Sequence, residues 1–322
     1  MIRPVDTPEQ QPSDAIVVGA GAAGLTAGLF LGRSGRSVLV IDPFIGNHMV
    51  NAGTIDNFPG FPDGISGAEL WSLLHRQAAS AGVRFAPATV KRVEALGGVR
   101  RSFRVLTDSA SYDGLTVLAC TGSRLRALDV EGESRLTGLG VSHCATCDGP
   151  IFSGQAVAVV GGGDSALDEA LVLSEMASEV TIFHRGASPT GQMHLQKQVS
   201  AAENVRVRSE CEVIRLEGSA RLDAIVVRDT SGVDFVHRVG GVFGFVGLEP
   251  NTDFLQPLVD LDDSGHVITD GSMQTSVAGV FAAGDIRRDS SSQFVSAAGD
   301  GASAALAAHR FLGPVEPNAT QS

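Results

Sequence analysis

Two glycine-rich turns, each lying between an apolar strand and a helix, constrain this 322-residue chain more than any other feature. The first turn is Gly19-Ala20-Gly21-Ala22-Ala23-Gly24, a complete G-x-G-x-x-G. It follows the apolar run 14–18 and opens a small-residue segment, 22–31, that we predict to be helical. A second buried strand is predicted over 37–41. This strand–helix–strand pattern is typical of a parallel, doubly wound sheet.

The same pattern returns about one domain length later. The second turn, Gly161-Gly162-Gly163-Asp164-Ser165-Ala166, reads G-x-G-x-x-A and follows the predicted strand 156–160. A helix is predicted over 165–176 and a strand over 179–183. We therefore predict an α/β protein with two Rossmann-like dinucleotide-binding domains. A third strand and turn over 277–285, with a helix from about 296 to 312, is not assigned to either domain by the pattern alone.

The two turns predict different nucleotide contacts. Glycines let the backbone approach a pyrophosphate, and the following helix supplies N–H donors at its N-terminus. Asp42 ends the strand after the first turn, where a carboxylate accepts hydrogen bonds from ribose hydroxyls. The strand after the second turn ends in His184-Arg185-Gly186 instead. Arg185 at that position favours NADPH, through the ribose 2′-phosphate, over NADH; a solvated side chain is the alternative.

Composition excludes several classes of protein. The net charge is −12, and Lys and Arg form no dense basic run, so we expect no nucleic-acid partner and no binding to anionic membranes. The sequence has no run of about 18 apolar residues and no apolar stretch of signal-peptide type before Ala15. Four cysteines in a chain of this size do not make a disulfide-stapled secreted protein. A cytoplasmic location is expected.

Cys144 and Cys147 form a C-x-x-C pair, which on a helical turn lies close enough to bridge. A disulfide that closes so short a loop stabilises a fold little, so a redox role explains it better. Half of a zinc site is the alternative, but the two further ligands at matching spacing are missing, and we predict no metal. Cys120 and Cys211 are predicted to be structural.

Asp148 directly follows the pair. A carboxylate beside a reactive thiol can move protons as the disulfide opens and closes. The alternative is a turn residue that precedes Gly149.

Together these residues resemble the low-molecular-weight thioredoxin reductases of bacteria, which are class II FAD and pyridine nucleotide-disulfide oxidoreductases. The resemblance runs from about Asp14 to Gly313. It rests on the two glycine turns and on four further stretches: Asn57-Phe58-Pro59-Gly60-Phe61-Pro62, Thr121-Gly122, Cys144-Ala145-Thr146-Cys147-Asp148-Gly149, and Ala283-Gly284-Asp285 with Gln293 and Ala297-Ala298-Gly299-Asp300-Gly301.

The resemblance implies an FAD-binding domain made of residues 1–124 and 250–322, with an NAD(P)H-binding domain, 125–249, inserted between these segments. It implies that Cys147 faces the flavin, that Cys144 attacks the substrate disulfide, and that Asp148 donates and accepts the proton. Asp285 would bond the FAD ribityl chain and Gln293 would lie by the isoalloxazine. It also implies a homodimer and a thioredoxin-like partner. The other FAD contacts expected are Gly46, His48, Asn57, Thr121, Gly122 and Gly284.

Three departures from the family pattern bear on the donor and the substrate. NADPH-dependent members usually carry H-R-R and another Arg four residues on, where this chain has His184-Arg185-Gly186 and Thr190. NADPH, NADH or no nicotinamide therefore stay open. Family members usually carry a Phe pair after C-x-x-C-D-G, on a surface used in docking thioredoxin. Here Gly149 is followed by Pro150-Ile151-Phe152, so the aromatic pair is missing and protein docking is an open question.

The third departure lies in the flavin-side loop, commonly G-G-Q-L, which reads Gly46-Asn47-His48-Met49. His48 near the flavin and His143 beside Cys144 are candidate bases toward an incoming thiol. The alternatives are a loop histidine bonded to the backbone for His48 and a surface histidine for His143.

Three functions follow from these observations. The leading one is a disulfide reductase that passes electrons from NAD(P)H through FAD to the Cys144–Cys147 disulfide, and on to a thioredoxin-like protein or a small-molecule disulfide. The second is a related oxidase that closes a small-molecule dithiol, with oxygen or NADP⁺ as acceptor. The third, a non-catalytic flavin-bound scaffold or redox sensor, is disfavoured by the intact C-x-x-C-D.

Overall fold

The computed structural model describes residues 12–44, 48–97 and 102–315. The chain divides into two compact units, of which the first comprises 1–124 and 249–322 and the second 125–248. The chain therefore returns from the second unit to the first after residue 248, one residue earlier than the predicted boundary at 249. Which cofactor each unit binds stays a prediction.

Strands and helices are numbered in chain order. The strands are β1 (Ser13–Val18), β2 (Val38–Asp42), β3 (Thr54–Ile55), β4 (Ile65–Ser66), β5 (Arg84–Pro87), β6 (Val90–Leu96), β7 (Ser102–Thr107), β8 (Ser111–Ala119), β9 (Ser123–Leu125), β10 (Val141–Ser142), β11 (Ala156–Val160), β12 (Glu179–Phe183), β13 (Val205–Arg208), β14 (Cys211–Glu217), β15 (Ala224–Asp229), β16 (Asp234–Arg238), β17 (Gly241–Gly244), β18 (Leu248–Pro250) and β19 (Val280–Ala282). The helices are α1 (Ala22–Arg33), α2 (His48–Asn51), α3 (Gly67–Ser80), α4 (Glu133–Leu136), α5 (Ala145–Asp148), α6 (Asp164–Ser174), α7 (Met193–Ala201) and α8 (Phe294–Leu312), with 3₁₀ turns at Gly149–Phe152 and Asp253–Leu255.

The first unit is built on a parallel sheet with the strand order β5-β2-β1-β8-β19. Its central strand β1 is apolar along 15–18 because both faces of a parallel sheet are covered. Ala15 and Val17 pack with residues of α1 and α8, while Ile16 and Val18 pack on the other face with Phe103. The start of β8 also pairs antiparallel with β7, and β7 pairs with β6. The strand β19, which the pattern alone did not assign, lies beside β8.

The second unit has a five-stranded parallel sheet with the order β10-β17-β11-β12-β13. Both β11 and β12 have the predicted bounds. A separate antiparallel sheet, β14-β15-β16, packs its apolar residues with the face of the parallel sheet that includes Ala158 and Phe183. Sequence analysis did not predict this small sheet.

The predicted fold class, α/β with Rossmann-like units, is confirmed. Helix bounds differ slightly: α8 begins at Phe294 rather than 296, and α6 covers 164–174 rather than 165–176. The N–H groups of Glu175 and Met176 bond to the third carbonyl back, so the last turn tightens and the α-helix ends there. No helix in the described part of the chain is both long and apolar enough to cross a membrane.

Candidate active site

The first glycine turn joins β1 to α1 and has no room for a side chain at Gly19 or Gly24. Gly19 has φ +104°, a conformation that L side chains rarely adopt, and a Cβ on Gly24 would overlap the Gly19 carbonyl oxygen. A Cβ on Gly21 would meet no atom within 4 Å, so this side of the turn is open. The first turn of α1 has no acidic residue and no side-chain cap. A pyrophosphate therefore fits this turn, beside Ala22 and Ala23.

Asp42 lies at the carboxyl end of β2, next to this turn. Its Oδ2 accepts from the Ala20 N–H at 2.7 Å, and its Oδ1 accepts from the Phe44 N–H at 2.5 Å. Burial raises the pKa of Asp42, and these two backbone hydrogen bonds act in the opposite direction. The carboxylate keeps lone pairs for a ribose, so the turn and the acid together fit FAD.

The other predicted flavin contacts lie in the same unit. The Asn57 Nδ2 donates to Gln293 Oε1 at 3.0 Å, which joins two residues that are 236 positions apart. The Thr121 hydroxyl donates to the Asn251 carbonyl at 2.8 Å, and Gly122, with φ +59°, follows it. Gly46 lies outside the described residues.

His48 and Asp285 are close enough to interact electrostatically. Desolvation by the surrounding protein lowers the pKa of His48, although its side chain is exposed, and the Asp285 carboxylate partly offsets this. Burial raises the pKa of Asp285, whose Oδ1 also accepts from Ser290 at 2.8 Å. Gly284, with φ +78°, donates its N–H to buried Asp300. The structure thus brings His48 within electrostatic range of a predicted FAD ligand.

The second glycine turn joins β11 to α6. Gly161 has φ +141°, and a Cβ there would overlap the Phe245 carbonyl oxygen, whereas Gly163 faces open space. Ala166 is buried under the turn and Ser165 is exposed. Asp164, in the first turn of α6, accepts from the Gln192 backbone and side chain at 2.7 and 2.6 Å. The turn has the shape for a second pyrophosphate.

The two residues predicted to follow this turn differ in exposure. His184 is buried, its Nε2 lies 2.8 Å from the Ser209 hydroxyl, and burial lowers its pKa. Arg185 is 76% exposed, and its Nη1 lies 3.7 Å from Glu212 Oε1. The predicted cation at the ribose end of the site is therefore paired with a carboxylate.

The cysteine pair is bridged. Cys144 and Cys147 form a disulfide with their Cα atoms 5.3 Å apart, across the short helix α5. Cys144 caps α5, and the Cys147 N–H donates to its Sγ at 3.1 Å. The Cys147 side chain is exposed and that of Cys144 is half-buried. Cys120 and Cys211 are free and buried, and desolvation raises the pKa of both, that of Cys120 to about 12, so neither is poised to form a thiolate.

Two residues that sequence analysis missed hold the bridged segment. The buried Ser142 hydroxyl donates to Asp148 Oδ2 at 2.6 Å and accepts from the Cys144 N–H at 3.1 Å. Glu169, on α6, accepts from the Ala145 N–H at 2.6 Å, and burial raises its pKa. No spacing rule connects Glu169 with the dithiol; only the position of Ser142, two residues before Cys144, was a signal.

His143 has a defined ring orientation. Its Nδ1 lies 3.0 Å from the Gly244 carbonyl oxygen, which can only accept a hydrogen bond. The neutral ring is therefore protonated at Nδ1, and its Nε2 is left as a lone-pair acceptor. His143 is half-buried and bonded to the backbone, rather than a freely solvated histidine.

The family model of pyridine nucleotide-disulphide oxidoreductases matches residues 13–302 of the chain. The chain belongs to this family. Relatives include the thioredoxin reductase of Treponema pallidum, 35% identical over 301 residues that cover 93% of this chain and 97% of that protein. The thioredoxin reductase of Streptomyces clavuligerus is 37% identical over 305 residues, with 93% and 94% covered.

Solved structures of thioredoxin reductases agree with the family assignment. The structure from Lactococcus lactis has a TM-score of 0.90 and 32% identity, and the match covers 93% of this chain and 99% of that one. The structure from T. acidophilum has a TM-score of 0.87 and 33% identity, with 93% and 98% covered. The predicted family and enzyme class, an FAD-dependent oxidoreductase acting on a disulfide, are confirmed.

Proposed function

We propose that this family member is a disulfide reductase of the thioredoxin reductase type, and that its electrons leave through Cys144 and Cys147. The observation that carries the proposal is the bridged pair on α5, followed at once by a carboxylate, in the unit that also holds a second nucleotide turn. The first unit fits FAD and the second fits a nicotinamide nucleotide. A bound flavin supplies two-electron exchange between a nicotinamide and a dithiol.

The residues of the second unit support the following chemistry at the dithiol. Once the bridge has taken up two electrons and two protons, Cys144 is the attacking sulfur, because the Cys147 N–H donor stabilises a thiolate on it. Asp148 takes the proton of the Cys144 thiol, the resulting thiolate bonds one sulfur of the substrate disulfide, and the other substrate sulfur leaves with the proton that Asp148 returns. The Cys147 sulfur then attacks Cys144 Sγ and gives up its own proton to the second substrate sulfur, which leaves as a thiol while the bridge closes.

A thioredoxin-like protein is the proposed substrate, supported by the relatives that are named thioredoxin reductases. Ile151, four residues after Cys147, is 68% exposed and offers an apolar contact beside the dithiol. Phe152 does not contribute, because it is buried against Phe243 with ring centroids 5.5 Å apart. A homodimer and a cytoplasmic location stay predictions.

A second candidate is the reverse reaction, in which a small-molecule dithiol is closed to a disulfide. The observation that favours it is the His143 ring, whose Nε2 is free to accept a proton next to Cys144. In this reaction the Cys144–Cys147 bridge accepts the electron pair from the substrate, and oxygen or NADP⁺ is the final acceptor.

Anaerobic reoxidation of the flavoprotein tests the proposal. We expect the purified protein to be yellow, and after reduction with dithionite its flavin absorbance should recover on addition of oxidised thioredoxin or of 5,5′-dithiobis(2-nitrobenzoate). Cys144→Ser and Cys147→Ser should abolish the recovery, and Cys211→Ser, which removes a buried free thiol, should retain it.

Two results would count against the reductase. A reduced flavin in the unmodified protein that responds to neither disulfide contradicts both candidate reactions. Faster bleaching of the oxidised flavin by dithiothreitol than by NADH or NADPH favours the oxidase.

A further inference from the structure

The carboxyl end of β12 is where a nicotinamide nucleotide places the ribose that distinguishes NADPH from NADH. The segment from Arg208 to Glu212 runs alongside it. The His184 N–H donates to the Arg208 carbonyl at 3.1 Å, and the Glu210 N–H donates to the Gly186 carbonyl at 3.0 Å. These backbone bonds fix Glu210 and Glu212 next to Arg185.

The charges at this position do not suit a phosphate. Glu212 lies 3.7 Å from the Arg185 guanidinium, with the two side chains 55% and 76% exposed. Glu210 is exposed as well. A 2′-phosphate that bound Arg185 would have to displace the Glu212 carboxylate, and like charges at this distance repel.

The neighbouring cations are engaged elsewhere. Arg228, opposite Glu212 in the β14–β15 register, makes bonds of 2.6 and 2.9 Å to Asp234. The Arg208 guanidinium lies over the Phe235 ring, 5.9 Å from its centroid. At the distal position the Thr190 N–H donates to the Gly162 carbonyl at 2.7 Å, and its side chain carries no charge.

We propose that Glu212 makes the second unit select NADH over NADPH, with Arg185 held by the carboxylate instead of being offered to a phosphate. A carboxylate accepts the hydrogen bond of an unmodified ribose hydroxyl, so the same group that repels NADPH suits NADH. The inference rests on the proposed nicotinamide site and names its ligand. Glu212 is then a specificity-determining residue, and this proposal is an alternative to the expectation, still untested, that Arg185 selects NADPH.

Equilibrium binding tests this inference without turnover. Isothermal titration of the oxidised flavoprotein with NAD⁺ and with NADP⁺ should give a dissociation constant roughly ten-fold lower for NAD⁺, the size of effect that a few exposed charges produce. Glu212→Gln should reduce this ratio about five-fold, mainly by tightening NADP⁺ binding. Glu217→Gln is the matched control, since Glu217 is on the same strand and pairs with Arg215 at 2.7 Å; it should leave the ratio within about two-fold.

Several outcomes would overturn the inference. One is tighter binding of NADP⁺ than of NAD⁺ by the unmodified protein, a result that needs no variant. Another is an unchanged ratio of the two dissociation constants in a Glu212→Gln protein that unfolds at the normal temperature. Binding of neither nucleotide also overturns it, and leaves the reductase proposal standing if disulfides still reoxidise the dithionite-reduced flavin.

Discussion

The Ser142 hydroxyl connects two groups that the dithiol chemistry needs, the carboxylate of Asp148 and the backbone N–H of Cys144. We predict that Ser142→Ala slows reduction of a substrate disulfide about ten-fold. The physical reason is that Asp148 loses the hydrogen bond that holds its carboxylate in one position, so fewer encounters find it placed for proton transfer.

The magnitude follows from the geometry of the hydrogen bond. At 2.6 Å the Ser142–Asp148 contact has the length of a charge-assisted O–H···O bond, which contributes about 1.5–3 kcal/mol. Asp148 is half-buried, so water replaces part of the lost bond in the variant. A net loss of about 1.4 kcal/mol remains, and this corresponds to a factor of about ten in rate.

The assay is stopped-flow reoxidation of the reduced flavoprotein by excess disulfide, in Ser142→Ala, Asp148→Ala and the double variant. Since Ser142 acts through Asp148, the serine change should have little further effect once the carboxylate is gone. Ser142→Thr keeps a hydroxyl and should retain most of the rate. Ser174→Ala, which removes a 2.6 Å bond to the Leu171 carbonyl elsewhere in the unit, is the matched control. Rate losses that multiply in the double variant would refute this reasoning.

Two further predictions concern the glycine turns and their surroundings. Gly24→Ala should lower both the FAD content and the unfolding temperature, because its Cβ would overlap the Gly19 carbonyl and overpacking costs about 1–3 kcal/mol. Gly21→Ala, with open space around the added methyl, should unfold at the normal temperature, and an equal fall in the unfolding temperatures of the two variants would contradict this reasoning. Burial lowers the pKa of His184 below its usual value near 6.5, so an unfolded chain takes up a proton that the folded chain does not as the pH falls through that value. The free energy of unfolding in urea, relative to His184→Gln, should therefore decrease from about pH 8 to about pH 5.5, and a constant difference would contradict the pKa shift.

The elements that the sequence predicts well are those whose signal is local. Each of the turns at Gly19 and Gly161 combines a buried apolar strand, a positive φ that glycine permits and the start of a helix. All three signals lie within about a dozen consecutive residues. The strands β11 and β12 have the predicted bounds because each is a short, mainly apolar run, which is the pattern of a strand that is buried on both faces of a parallel sheet.

The parts that the sequence did not predict depend on pairs that are distant along the chain. The Glu169–Ala145 bond joins residues 24 positions apart, and the Asn57–Gln293 bond joins residues 236 apart. Neither has a spacing rule. Arg185 shows the same limit: its sequence position suggested a phosphate ligand, and only the fold shows that Glu212, 27 positions later on β14, lies 3.7 Å from it.

The helix α6 connects the second glycine turn with the Cys144–Cys147 segment of the second unit. It begins next to Gly163 of the second glycine turn, and Glu169, in the second turn of α6, accepts from the N–H of Ala145, the first residue of α5. Gly149, at the other end of the dithiol segment, contacts Met176 just beyond the end of α6, where a Cβ would come within 2.9 Å of the sulfur. Both ends of the Cys144–Cys147 segment are therefore held by α6 or by its immediate continuation. One helix thus contacts both the second glycine turn and the dithiol segment of this unit. We therefore expect these contacts to position the Cys144–Cys147 bridge, on its four-residue helix, for thiol–disulfide exchange.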